Sequence, residues 1–371
     1  MKKLAGYKEE IHSCSKCGLC QSVCPIYKIT GNDCTVSRGL FIMLKGLIKG
    51  ELKMSKKMNR YLDLCLKCGA CTKFCPSGID AVEIITAAKA EYFKKHPFEK
   101  VISFVQKRLI FGLGVNLMGM FTKNIKGKTF DKKVIYFGGC GGEVKGNKSV
   151  VTLLNACGME VITPHFKCCG IPLYVRGDID SYLSYKESFI KIIEKYDIKD
   201  IVTTCASCEK TIKGYNIEGL NVKNIFEYIK ENELKLSLKK PVKVTFHKPC
   251  NIDNFQDIKW ILNNTNNLEY VEMENFDSCC GLNGISKLNE YGIMYKIFKN
   301  KHNNIVKTGT KTVLTSCIGC EIALNLFSAG KYRVFDFTDF IAASTFENRL
   351  HPYSRINLHC CLKVLLSLAA L

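Results

Sequence analysis

Four cysteines spaced two, two and three residues apart, Cys14, Cys17, Cys20 and Cys24, stand near the start of the chain, and Pro25 follows the last of them. Cys65, Cys68, Cys71 and Cys75 repeat the arrangement 51 residues later and again end in a proline, Pro76. This C-x2-C-x2-C-x3-C-P run is the ligand spacing of a [4Fe-4S] cubane, in which one tight loop wraps three thiolates around one face of the cluster. The fourth cysteine points away, and where two such clusters share a fold it ligates the other one. The expected sets are therefore Cys14, Cys17, Cys20 with Cys75, and Cys65, Cys68, Cys71 with Cys24. Zinc ribbons also use C-x2-C, but zinc does not call for a third cysteine at the same spacing or for the Cys-Pro ending, let alone twice.

A second duplication follows. Cys140, the pair Cys168–Cys169, and Cys205 with Cys208 recur 110 to 112 residues later as Cys250, Cys279–Cys280, and Cys317 with Cys320; Gly170 and Gly281 follow the double cysteines. Adjacent cysteines in extended chain point opposite ways, so for both thiols to serve one site the backbone must turn sharply there, which glycine permits. Five thiols converging in each copy are expected to hold metal or to form a reactive dithiol site.

The elements that position these thiols differ between the two regions. Residues 1–100 carry short helical stretches around the first two motifs, such as "RGLFIMLKGLIKGE" and "AVEIITAAKAEYFKK". From residue 134 strand-like and helix-like segments alternate. "KVIYFGG", "MEVITP" and "DIVTT" precede the cysteines of the first copy, and "VKVTFHKP", "NLEYVEME" and "TVLTS" those of the second. Such alternation argues for α/β units with parallel sheets, in which ligands gather at the carboxyl ends of strands. The expected domains are 1–100, a linker or amphipathic helix over 101–133, α/β units over 134–240 and 241–350, and a tail over 351–371.

Composition bounds the chemistry. The chain has 371 residues and 22 cysteines. "MKKLAGYKEEIHSC" has no apolar core after its lysines, so no signal peptide is expected. A chain of this size needs no disulfide staples, and a reducing cytoplasm is the expected compartment. The formal net charge is +20, and residues 1–133 hold 25 Lys/Arg against 10 Asp/Glu. Eight thiolates around two clusters would add about −4 locally. The remaining basic excess suits an acidic redox partner or anionic lipid at the inner face of the membrane better than nucleic acid.

Other motifs fail their tests. "GGEVKGNKS" has Asn147 where a phosphate-binding loop needs lysine, and "GLGVNLMG" lacks a dinucleotide fingerprint. Hydride chemistry is therefore expected in a partner. His165 and His247 each precede a site cysteine by three residues; packing or solvation is the ordinary expectation for such a histidine. The uncharged run from Leu109 to Thr122 is too short to span a bilayer. Cys360–Cys361 lacks a following glycine, and with Cys34 and Cys157 it is given no ligand role.

The halves together resemble the CCG-domain iron–sulphur proteins, which include the iron–sulphur subunit of glycolate oxidase, the third subunit of anaerobic glycerol-3-phosphate dehydrogenase and the catalytic subunits of heterodisulfide reductase. "CGLCQSVCPIYKITGND" and "LDLCLKCGACTKFCPSGI" follow the glycolate oxidase subunit, whereas "KCCGIPLYVRGD" and "TTCASC" look more like the other branches. The resemblance implies a helical two-cluster ferredoxin module followed by two tandem CCG α/β domains. It implies two [4Fe-4S] cubanes, with one or two noncubane [4Fe-4S] clusters or zinc at the CCG sites. It also implies an electron-transfer subunit working with an FAD-dependent dehydrogenase and a membrane quinone or cytochrome acceptor. Where glycolate oxidase subunits commonly lose the first cysteine of the last C-x2-C, "TSCIGC" keeps Cys317 and Cys320. Two complete five-cysteine sets keep the alternative open, a thiol–disulfide oxidoreductase like heterodisulfide reductase.

Overall fold

A computed structural model describes residues 2–106, 127–139, 147–252, 255–281 and 291–346. Cys140, the 109–122 run and the 351–371 tail with Cys360 and Cys361 lie outside the described residues. The N-terminal module is helical, with its longer helices at Ser37–Ile48, Lys56–Leu64 and Ala81–Lys95. Ser55 and Asp80 set two of these starts: Ser55 Oγ accepts from the Met58 N–H at 3.2 Å, and Asp80 Oδ1 from Val82 and Glu83 at 2.9 and 3.0 Å. Leu40, Leu44, Leu62, Ile84 and Ala88, at helical spacings, close a small core of their own.

Two four-stranded, all-parallel sheets follow. The first holds β1 (Lys132–Tyr136), β2 (Met159–Ile162), β3 (Asp200–Thr203) and β4 (Asn221–Asn224) in the order β2-β1-β3-β4. The second holds β5 (Leu236–Phe246), β6 (Thr265–Tyr270), β7 (Thr312–Thr315) and β8 (Arg333–Asp336) in the matching order β6-β5-β7-β8. The duplication in the cysteines is thus a duplication of topology. Both faces of each sheet are covered, as parallel sheets require. Val134 and Tyr136 face one core while Ile135 and Phe137 face another. The first of these cores is common to both sheets, joined by helices Lys148–Ala156, Ile225–Glu231, Gln256–Asn264 and Phe337–Phe346.

One strand departs from expectation. β5 begins at Leu236, upstream of "VKVTF", and runs through Pro241, with a register shift between Ser237 and Val242. Proline has no N–H for the ladder, and an irregularity at that point is how a strand tolerates it.

The N-terminal module touches both α/β units. Helix Ile171–Arg176 packs on helix Ala81–Lys95, and the Arg176 guanidinium pairs with Glu99 at 3.2 Å. Helix Pro25–Thr30 packs on helix Tyr291–Lys307 of the second unit. Among the described residues no helix is long and apolar enough to cross a membrane.

Candidate metal centres

The two N-terminal motifs adopt the same loop. Lys16 and Gly18 are left-handed in the first, and Lys67 and Gly69 in the second, with φ of 58°, 86°, 54° and 73°. Left-handed backbone at a lysine is uncommon; here it recurs at matching positions and curls each C-x2-C loop so that thiols and N–H groups face one centre. Cys14, Cys17, Cys20 and Cys75 line one pocket with Cys71, Ser37 and Arg38. Cys17 is exposed. Cys24, Cys65, Cys68 and Cys71 form a second, more buried group. Cys24 caps helix Pro25–Thr30, its Sγ accepting from the Tyr27 N–H at 3.5 Å, and Pro25 occupies the first helical position, where no donor is needed. The structure therefore brings Cys75 to the first loop and Cys24 to the second.

In the first α/β unit, Cys168, Cys169, Cys205 and Cys208 meet beyond the carboxyl ends of the strands. Cys169 and Cys208 are buried, with Sγ atoms 3.5 Å apart, and Tyr215 Oη donates to the Cys169 carbonyl at 2.8 Å. Gly170 turns the chain after the pair at φ 78°, and Gly281 does so in the second unit at φ 88°. There Cys250, Cys279, Cys280, Cys317 and Cys320 converge, with Cys280 and Cys320 Sγ 3.3 Å apart. Cys205 and Cys317 begin helices Ala206–Lys213 and Ile318–Leu326, so helix N-termini face both sites.

Two junctions between sites were not legible in the spacing. Cys68 of the N-terminal module and Cys279 pack on the same apolar cluster, which joins Ile26, Leu64 and Leu66 to Ile297, close enough to interact electrostatically. Cys205 of the first unit hydrogen-bonds Cys317 of the second. Asn251 Nδ2, next to Cys250, donates to Ser207 Oγ at 2.8 Å across the same boundary. A cleft beside the Cys205–Cys317 junction is lined by Gly138, Ser316, Asp336 and Asp339.

The thiols crowd too closely to ionise together. Burial pushes Cys71 up to about 12, with Cys65 adding to it, and burial followed by the Cys279 thiolate raises Cys68. Hydrogen bonds from Cys168 and Cys208 hold Cys169 well below the ordinary thiol range, and the contact with Cys169 raises Cys208 in turn. Cys279 is likewise held low by Cys250 and Cys280, and Cys317 by Cys205 and Cys320. Like charges in a desolvated cluster oppose one another. Only a cation at the centre lets four or five of these thiols be thiolates at once, so the donor sets fit thiophilic metal centres.

Residues 10–79 match the model of the 4Fe-4S dicluster domain, and residues 134–213 and 244–325 that of the cysteine-rich domain. The chain belongs to the CCG-domain iron–sulphur proteins. One relative of this CCG-domain protein belongs to the fumarate reductase (CoM/CoB) of Methanothermobacter marburgensis; that subunit is 28% identical, the match covering 85% of this chain and 67% of the relative. The probable glycolate oxidase iron-sulfur subunit of Bacillus subtilis is 23% identical, covering 85% and 89%. A subunit of the dihydromethanophenazine:CoB–CoM heterodisulfide reductase of Methanosarcina acetivorans is 23% identical, covering 84% and 88%. These three relatives are subunits of oxidoreductases.

Sequence reading singled out two histidines and favoured a packed or solvated role for both. His165 is exposed, but His247 is fully buried beside Cys280 and Cys320. Aligning the two copies at their cysteines sets His247 opposite Phe137, and that change from apolar to polar was the available signal.

Proposed function

We propose that the chain is an electron-transfer subunit that takes electrons from an FAD-dependent dehydrogenase of glycolate, lactate or glycerol-3-phosphate type and delivers them to a quinone or another acceptor. Iron–sulphur clusters held by the two N-terminal cysteine groups, when bound, supply one-electron carriage. Cys14, Cys17, Cys20 and Cys75 are the ligands of one cubane, and Cys24, Cys65, Cys68 and Cys71 those of the other. The observation that carries the reading is the Cys68–Cys279 junction, where both cysteines pack on one apolar cluster that links the second group to a cysteine-rich site. At the other end Cys17 is open to solvent and lines a pocket with the exposed Leu19, which suits contact with a partner. The cysteine-rich sites, each with its five cysteines, hold noncubane clusters or zinc.

Iron and acid-labile sulfide on anaerobically purified chain test the cofactor count. Two cubanes give about eight irons, and clusters at both cysteine-rich sites raise this to about sixteen. Stopped-flow reduction by photoreduced free flavin tests the relay. The intact chain is expected to show a fast and a slow phase, and Cys279→Ser to keep the first and lose the second. If Cys279→Ser leaves both phases unchanged, electrons do not pass by this junction.

A second reading is favoured by the Cys205–Cys317 junction, beside which Cys205 lines a cleft bordered by Ser316 and Ile318 of the second unit. A substrate disulfide held there would make the chain the catalytic subunit of a thiol–disulfide oxidoreductase. Iron near eight would sink that cluster-based reading, and thiol-dependent EPR of the oxidised protein would support it.

A further inference from the structure

The two cysteine-rich units share topology and cysteine pattern, yet the walls behind their sites differ in kind. Phe137 and His247 occupy the same place in the fold: each directly follows an inner strand of its sheet, β1 or β5, and their N–H groups donate at 2.8 Å to the matching carbonyls of Val202 and Leu314. In the first unit Phe137 packs at an angle on Phe166 and edge-on to Phe189, ring centroids 5.0 and 5.6 Å away, and the cysteines rest on an aromatic wall. In the second unit the counterpart of Phe189 is Lys301, also buried, its ammonium donating to the Asn275 carbonyl at 2.5 Å and lying near Cys279 and Cys280. An aromatic wall has been exchanged for a histidine and a cation.

His247 has no exposed surface, and among the described residues neither ring nitrogen has a hydrogen-bond partner. Buried polar atoms in native proteins are almost always satisfied, so an imidazole with neither nitrogen bonded calls for a partner that the described side chains do not supply. A ring nitrogen of His247 and the sulfurs of Cys280 and Cys320 all lie within 4.8 Å of one another, and all three residues are buried. Donors around one thiophilic ion, at bond lengths of about 2.0–2.3 Å, stand roughly 3.3–4 Å apart. Small side-chain rotations bring these three onto one metal.

We propose that His247 is a nitrogen ligand of the metal centre at the second cysteine-rich site, beside Cys280 and Cys320, so that the duplicated sites hold chemically different centres. The first site is served by thiolates against an aromatic wall. The second mixes imidazole with thiolate and has a buried ammonium nearby. Replacing thiolate by neutral imidazole raises the reduction potential of an iron–sulphur centre, and Lys301 acts in the same direction. The site next to Cys68 would then be the stronger electron acceptor of the two. If the metal is zinc, the same donors make a mixed Cys/His structural site.

The inference rests on the reading above that this site holds metal, and the test separates the two. The full chain, purified anaerobically, is assayed for iron and zinc and crystallised, with diffraction recorded at the edge of each metal found. A His247 nitrogen about 2.0–2.1 Å from a metal atom is the expected result, whether the metal is zinc or cluster iron. His247→Phe, which restores the residue of the first unit, should retain the N-terminal clusters and hold metal at the second site at least ~10-fold more weakly against a chelator. His247→Cys should restore retention, which a purely structural loss would not allow. A metal present with the imidazole more than about 3 Å away overturns the ligand assignment and leaves the proposed function standing, because such a distance exceeds any metal–nitrogen bond. No metal at the second site overturns both.

Discussion

At the scale of single residues, the sites depend on side chains that hold cysteines as much as on the cysteines. Tyr215 is buried, and its hydroxyl satisfies the carbonyl of Cys169, a buried thiol of the first unit. Tyr215→Phe keeps the ring and its packing but leaves that carbonyl short of a donor, at a cost of about 1–2 kcal/mol. Urea denaturation of the metal-free chain should show the loss. The exchange of fourth ligands between the N-terminal motifs is tested by a pair of variants. Cys75→Ser should remove about four irons from the exposed group near Cys17 and leave the signal of the buried cluster, while Cys24→Ser should do the reverse. If Cys24→Ser instead disturbs the exposed cluster, each motif closes its own cubane and the assignment falls.

At the scale of elements, the important contacts are those that tie one module's helix to another's. Asp178 is buried at the start of helix Ile179–Tyr196; it accepts from the Ser181 N–H at 3.2 Å and from the Ser103 hydroxyl of helix Pro97–Gln106. Asp178→Ala removes a helix cap and strands Ser103, so a loss of about 1–2 kcal/mol is expected. Thermal unfolding should move accordingly, and an unchanged midpoint would show that the cap is dispensable. Elements of this kind were only partly legible beforehand. Helix Ala81–Lys95 coincides with "AVEIITAAKAEYFKK", because its aspartate cap and unbroken run of helix formers announce both ends. β4 and β8 escaped notice: each has four residues, too few to display a period, and unlike the equally short β3 and β7 neither runs into a site cysteine. The cysteine groups were legible because metal ligation fixes spacing within a loop. The Cys68–Cys279 and Cys205–Cys317 junctions join residues 211 and 112 positions apart. No local pattern encodes such meetings; they follow from how the N-terminal module and the two sheets pack together.

At the scale of the whole molecule, the docking surface that matters most is small. Ile26, Leu64 and Leu66 of the N-terminal module enclose Ile297 of helix Tyr291–Lys307, and all four are buried. Around them lie Cys24, Cys68 and Cys279, so the same apolar contact fixes the spacing between the buried N-terminal thiols and the second cysteine-rich site. Ile297→Ala should cost about 2–4 kcal/mol through lost burial and the cavity left behind. That loss falls on the junction, because the N-terminal core around Leu44 and the core shared by the two sheets contain no part of Ile297. Limited proteolysis should therefore cut the variant between intact modules before either unfolds. Metal content should stay at the wild-type value while the slow phase of flavin-driven reduction weakens. Retained metal with an unaltered slow phase would mean that electrons reach the second site by another route. A variant that loses metal and fold together would mean that the modules are stable only as one body.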